Sequence, residues 1–109
     1  MTPQSDKSNP TKITFVYANP TDPAAFEAAY PEQLASARKL PGLVRLQASK
    51  VWPKEDGTPT PAYRFLDLYF ADYAAASAAA AAAGDLVGAT LKNATGGVTI
   101  AFAEILEDA

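Results

Sequence analysis

Residues 62–70, AYRFLDLYF, decide the architecture. In an extended strand successive side chains point to opposite faces. Arg64, Leu66, Leu68 and Phe70 then share one face, and Tyr63, Phe65, Asp67 and Tyr69 share the other. The Leu-Leu-Phe set suits a helix-covered core, whereas the second set mixes aromatics with one carboxylate. Upstream, KEDGTPTP at 54–61 carries three chain breakers and reads as a turn and loop. Before it, LVRLQASKVW at 43–52 reads as another strand, so the two segments form an antiparallel hairpin. There Val44, Leu46 and Ala48 are expected to face the core, and Leu43, Arg45, Gln47 and Ser49 to face outward.

Downstream, Asp72 is a suitable N-cap for an alanine-rich helix over 73–83. Gly84 and Gly88 weaken its continuation, and a second helical piece is expected over 85–93. TGG then turns the chain into a final strand, VTIAFAEIL at 98–106. Towards the N-terminus, KITFVYA at 12–18 is β-branched and aromatic and reads as a strand. Asp22 caps and Pro23 opens a helix over 24–40. Pro31 interrupts it and predicts a kink or a break. LPG at 40–42 ends it, with Gly42 free to adopt positive φ. The order is β-α-β-β-α-β, an α+β ferredoxin-like arrangement. Right-handed crossovers put both helices on one face of a four-stranded antiparallel sheet, with the first and third strands central.

The chain has 109 residues and 11.4 kDa, enough for one core. We read 1–11 as a disordered leader, 12–106 as the domain and 107–109 as a tail. Nine basic against twelve acidic residues leave a net charge of −3. That argues against nucleic acid and anionic membranes as partners. No secretory signal or spanning segment is read, and a cytoplasmic location is expected. With no cysteine and no histidine, thiol nucleophiles, disulfides, His-based triads and Cys- or His-ligated metals are excluded. No cofactor and no metal is expected.

Both parities of the first strand are apolar, Ile13, Phe15 and Tyr17 against Thr14, Val16 and Ala18. That pattern implies cover on both sheet faces. Two helices cannot supply it, so a second copy packed sheet to sheet is expected, forming a homodimer around a lined cavity. The alanines at 76, 79, 80 and 83 let the helix lie close to the sheet, or leave a cavity beneath it. The tentative catalytic group is Asp67, a desolvated general base or an acid paired with Arg45. Tyr17, Tyr63, Phe65 and Tyr69 are candidate cavity residues through rings or hydroxyls. Tyr30 beside Pro31 reaches towards the cavity mouth. Arg45 and Gln47 suit a ligand carboxylate or carbonyl. Trp52 lines the cavity or packs on the partner.

Four segments, KITFVYANPTDPAAFEAAY, ARKLPGL, AYRFLDLYFAD and NATGGVTIAFAEI, together resemble the EthD-like family of the dimeric α+β barrel superfamily. The resemblance implies a ferredoxin-like protomer, sheet-packed dimers, a small hydrophobic cavity, and a link to ether or aromatic compound degradation. In that family the first helix carries a tyrosine and, four residues on, a histidine before Pro-Leu. Tyr30 matches the tyrosine. The following PEQLASARK is one residue shorter, and the histidine position falls on Gln33 or Leu34. Three functions stay open: a small-molecule-binding or accessory dimer; a cofactor-free isomerase, cyclase or oxygenase using Asp67 or a tyrosine for proton transfer; and a structural dimer without a ligand.

Overall fold

The structure is a computed structural model that describes residues 5–108. The elements are β1 (Thr11–Tyr17), α1 (Pro23–Arg38), β2 (Arg45–Lys50), β3 (Arg64–Phe70), α2 (Tyr73–Ala81), α3 (Gly84–Asn93) and β4 (Val98–Glu104). They form one four-stranded sheet in the order β2-β3-β1-β4, antiparallel throughout, with the expected strands at its centre. The ferredoxin-like reading therefore holds for the protomer.

Local chemistry explains the helix starts. Asp22 accepts a hydrogen bond from the Ala25 amide at 3.2 Å and Pro23 opens α1, while Asp72 accepts from the Ala75 amide at 2.8 Å. Gly42 takes φ +77 where the chain leaves α1. The alanine helix ends at Ala81, and α3 leaves it at 75°. Among the described residues no single helix is long and apolar enough to cross a membrane.

The register sorts the faces. Ile13 lies opposite Leu68 and Phe102, and Phe15 opposite Leu66 and Ile100. These positions face the helices. There Leu66, Leu68, Phe70, Ile13, Phe15 and Tyr17 are buried against Phe26, Tyr30 and Ala37 of α1, Ala76 and Ala79 of α2, and Leu86 of α3.

Three expectations are corrected. Of the kink or break expected at Pro31, the break does not occur, and α1 runs through it for 16 residues. Tyr30 and Gln33, on either side, are both buried, and their packing outweighs one missing amide donor. Val44 is exposed and Leu43 packs against the core, because β2 starts only at Arg45 and the turn ahead of it does not follow strand alternation. Residues 1–4 of the expected leader lie outside the described residues, and residues 6–10 make four contacts. The Asp6 amide and the Asn9 side chain donate to Glu104, the Lys7 carbonyl accepts from Tyr73, and the Pro10 carbonyl accepts from Ile105. Finally, Tyr63 precedes β3 and escapes its alternation: its amide donates to the Tyr17 carbonyl at 2.7 Å and its ring meets Phe26 edge-on at 5.2 Å.

The turn into β4 closes against the end of β1, where the Ala18 amide donates to the Gly97 carbonyl at 3.0 Å. A Cβ on Gly96 would run into the Asn19 carbonyl, so only glycine fits. Gly96→Ala is expected to destabilise the protein by about 1–3 kcal/mol, the usual cost of overpacking a site that cannot yield. Urea unfolding followed by circular dichroism measures it, and an unchanged midpoint would refute the close approach.

Candidate functional site

The helix-facing side of the sheet holds a polar cluster in an otherwise apolar layer. Phe26, Tyr30, Gln33 and Ala37 form the inward stripe of α1, spaced so that each points at the sheet. Gln33 is fully buried, and its Nε2 donates to the Tyr17 hydroxyl. Its Oε1 accepts from Asn93 Nδ2 of α3 at 3.1 Å. Thr90, one turn before Asn93, is also buried. Two hydroxyls here, Tyr30 and Thr90, meet no hydrogen-bond partner. Thr90 faces the Tyr17 oxygen without reaching bonding geometry. Burial raises the pKa of Tyr17, opposed by the Thr90 hydroxyl and the Gln33 amide. Burial, then the neighbouring Tyr17, pushes Tyr30 far above the ordinary phenol value. Both tyrosines stay protonated at neutral pH.

One step along the same layer lies an apolar slot of about 70 Å³. Phe15, Leu86, Leu40 and Ala83 line its inner part, with Val87, Ile100 and Phe102 at the rim. Ile100 and Phe102 are 43% and 42% exposed although they point to the helix side, because β4 is the edge strand and the helices do not reach over it. The slot sits under the alanine helix: Ala76, Ala79 and Ala83 pack closely, and clearance remains beside Ala80. Both readings of the alanines thus hold in part. The slot lies one step along the layer from the polar cluster, none of whose side chains lines it. Phe15 and Tyr17 are successive same-face positions of β1 with ring centroids 6.3 Å apart, and Leu86 and Thr90 lie one turn apart on α3.

Above Tyr30 the Arg64 guanidinium lies 4.5 Å from the ring centre. Arg64 Nη2 contacts both oxygens of Glu27 at 2.7 Å, and Lys50 reaches the same carboxylate at 3.3 Å. Burial alone would raise the Glu27 pKa; the Arg64 hydrogen bond and charge, with Lys50 and Tyr63, leave it below the ordinary value.

The open face is a different place. Lys12, Thr14 and Val16 of β1, Phe65, Asp67 and Tyr69 of β3, and Arg45, Gln47 and Ser49 of β2 share it by register. Asp67 does not pair with Arg45. It accepts from Thr14 at 2.6 Å and lies 3.4 Å from Lys12, with its side chain 14% exposed. Register decides this: Gln47 stands opposite Asp67, and Arg45 stands opposite Tyr69 and over its ring. Tyr69 donates to Gln47 at 2.8 Å. Arg45, Gln47, Tyr69 and Lys12 line a groove of about 280 Å³. The face is thus a polar network on small side chains, less apolar than expected. Of the residues singled out from the sequence, Tyr17 and Tyr30 meet on the helix side with Tyr63 nearby. Arg45, Gln47, Phe65, Asp67 and Tyr69 gather on the open face. Trp52, 88% exposed, joins neither. Thr90 and Asn93 were missed. The signal for Thr90 was its position four residues after Leu86, on the inward face of α3.

No protein-family model matches the chain. An uncharacterised 11.0 kDa protein from the thcB–thcC intergenic region of Rhodococcus erythropolis is 36% identical over 96 residues, covering 85% of this chain and 92% of that one. The chain belongs to that protein's family. An EthD family protein of Bacillus halodurans superposes with a TM-score of 0.75 at 21% identity, over 89% of this chain and 99% of the other, in line with the fold that the resemblance implied. SnoaB, a cofactor-independent oxygenase of Streptomyces nogalater, gives 0.62 at 16% identity over 93% and 96%. A dimeric ferredoxin-like protein from an uncultured marine organism gives 0.66 at 18% over 92% and 99%. At these identities the superpositions establish shared fold. Of the two positions on which the resemblance placed a histidine, Gln33 rather than Leu34 takes the inward place, since Gln33 is buried in the cluster and Leu34 only partly buried.

The Glu27 carboxylate generates a pH dependence. Its folded pKa is lowered, so its stabilisation is present above the unfolded value and is lost as pH falls through the lowered one. Asp6 and Asp56 are lowered too, by hydrogen bonds two residues on, and Glu104 by those from Asp6 and Asn9, and all three contribute equally to wild type and variant. Glu27→Gln is expected to flatten the fall in melting temperature between about pH 5 and pH 3. Parallel melting curves for the two proteins across that range would refute the role of Glu27.

Proposed function

We propose that the protein is a homodimer that binds a small, largely apolar, oxygen-bearing molecule between its helices and its sheet. The observation that supports this most strongly is the pair of buried, unpartnered hydroxyls of Tyr30 and Thr90, one step along the layer from the apolar slot. Leaving a buried hydroxyl unpaired costs about 1–3 kcal/mol. A fold carrying two at one place is better accounted for by a ligand oxygen received there than by packing. The slot would take the apolar body against Phe15 and Leu86, and the oxygen would lie towards Tyr17, Tyr30 and Thr90, about 6–7 Å along the layer. An ether or a small aromatic compound, the ligand class implied by the EthD-like resemblance, meets both requirements.

The open face is where a second copy would pack. Phe65 is 37% exposed on it, and one solved relative in fold is described as dimeric. Arg45, Gln47, Asp67 and Tyr69 would then be interface and rim groups. Binding is favoured over acid–base catalysis, because Asp67 is already engaged by Thr14 and Lys12 on the face away from the slot.

Two measurements test the reading. Sedimentation is expected to give twice the 11.4 kDa chain mass, and Phe65→Lys to shift it towards one. Titration with 2-pentanone, a chain narrow enough to enter the slot and long enough to carry its oxygen towards Tyr17, followed by amide chemical shifts, is expected to saturate at Phe15, Tyr17, Leu86 and Thr90. Ala80→Phe, which fills the slot, should abolish it. A lone subunit at working concentration would overturn the dimer, and shifts confined to the open face would overturn the site.

A further inference from the structure

At the end of β1 away from Tyr17, beside Thr11, lies a cavity of about 300 Å³. Phe102 and Glu104 of β4, Tyr73 at the start of α2, and residues 5–7 line it. A volume of this order reaches the range of small-molecule sites. The N-terminal segment is anchored to both elements beside the cavity. The Asp6 amide and Asn9 Nδ2 donate to Glu104 Oε2 at 2.6 and 2.9 Å, and the Tyr73 amide donates to the Lys7 carbonyl at 3.0 Å.

The lining is one-sided in charge. Glu104 is held below the ordinary carboxylate value by the bonds from Asp6 and Asn9, and Asp6 by those from the Ser8 hydroxyl and amide, so both are ionised at neutral pH. The Asp6 and Asn9 bonds both fall on Glu104 Oε2, and both Ser8 bonds fall on Asp6 Oδ1. The second oxygen of each carboxylate keeps acceptor capacity, with the Ser5 hydroxyl also near Glu104. Against two carboxylates the lining has one cation, Lys7. Its ammonium lies 4.8 Å from the centre of the Tyr73 ring, and among the described residues no ion pair joins it to Asp6 or Glu104. The Tyr73 and Phe102 rings are both half-exposed, 6.0 Å apart. Aromatic faces and carboxylates favour the same kind of guest, and Lys7 already uses one of those faces.

We propose that this cavity binds an organic ammonium ion, its apolar body against Tyr73 and Phe102 and its charge towards Asp6 and Glu104. The site is separate from the slot and does not rest on the reading of it. A neutral guest would cover the two carboxylates without compensating them, and an anion would be repelled.

The test uses phenethylamine, 2-phenylethanol and phenylacetate, which share a phenyl body and differ in charge. Each is titrated at pH 7, with affinity read from amide shifts at Lys7, Tyr73 and Glu104, none of which lines the slot. The amine is expected to bind about three- to tenfold more tightly than the alcohol, and phenylacetate most weakly. Asp6→Asn combined with Glu104→Gln keeps the acceptor oxygens that hold the segment and should bring amine and alcohol to equal affinity. Asp6→Asn alone, which leaves the Glu104 contacts in place, should weaken the amine and not the alcohol. Tyr73→Leu is expected to weaken the amine by about two- to fivefold. An alcohol or acid that binds as tightly as the amine would overturn the proposal, as would an amine preference that survives the double variant. Shifts confined to other parts of the protein, or no binding by any of the three, would overturn the site itself.

Discussion

Pairing of β1 with β3 is the constraint on which the rest depends. Ile13 opposite Leu68 and Phe15 opposite Leu66 put four large apolar side chains under the helices. Each contributes roughly 1.5–3 kcal/mol by burial. A slip of one residue would turn all of them to the open face and bring Asp67 and Lys12 inside. The same register therefore fixes two polar systems at once. It leaves Tyr17 at the helix-side end of β1, beneath α1 and α3, and it sets Thr14 against Asp67 on the opposite surface.

The fold was legible because its strongest signals were local. AYRFLDLYF differs so clearly between its two parities that only one face suits a core, and Asp22, Asp72 and Gly42 mark element ends by their own chemistry. The first strand was less readable, because both of its parities are apolar. Its inward set was settled only by pairing, which is long-range information. For the same reason the partner of Asp67 was misjudged. Adjacent strands were known, but not that Gln47 rather than Arg45 stands opposite. Pro31 was over-read as a break, since propensity weighs one residue while α1 is held by a whole buried stripe.

The candidate site was legible only by halves. Tyr17 and Tyr30 stood out as aromatics, but the groups that give Tyr17 chemical meaning come from α1 and α3, 16 and more residues away in sequence. Gln33 was visible as the residue replacing an expected histidine. Its buried position on the Phe26–Tyr30–Ala37 stripe makes it a hydrogen-bonding partner of Tyr17 and Asn93 rather than a proton carrier. Thr90 was hidden because α3 is short and rich in small residues, so its inward face is defined by Leu86 and Thr90 alone.

The two sheet faces divide the work between different physical means. On the open face, polar groups are mutually satisfied: Asp67 with Thr14 and Lys12, Tyr69 with Gln47. Such a surface can meet a second copy without leaving a charge buried alone, at the price of little hydrophobic drive at its centre. On the helix face the balance is reversed, with ample apolar burial around hydroxyls that the protein does not satisfy. The alanines of α2 make this arrangement possible. Larger side chains there would fill the space beside Ala80 and stabilise the core, but would close the slot. An alanine-rich helix over a sheet is thus explained better by retained clearance than by helix propensity alone, because propensity makes no demand on which face stays small.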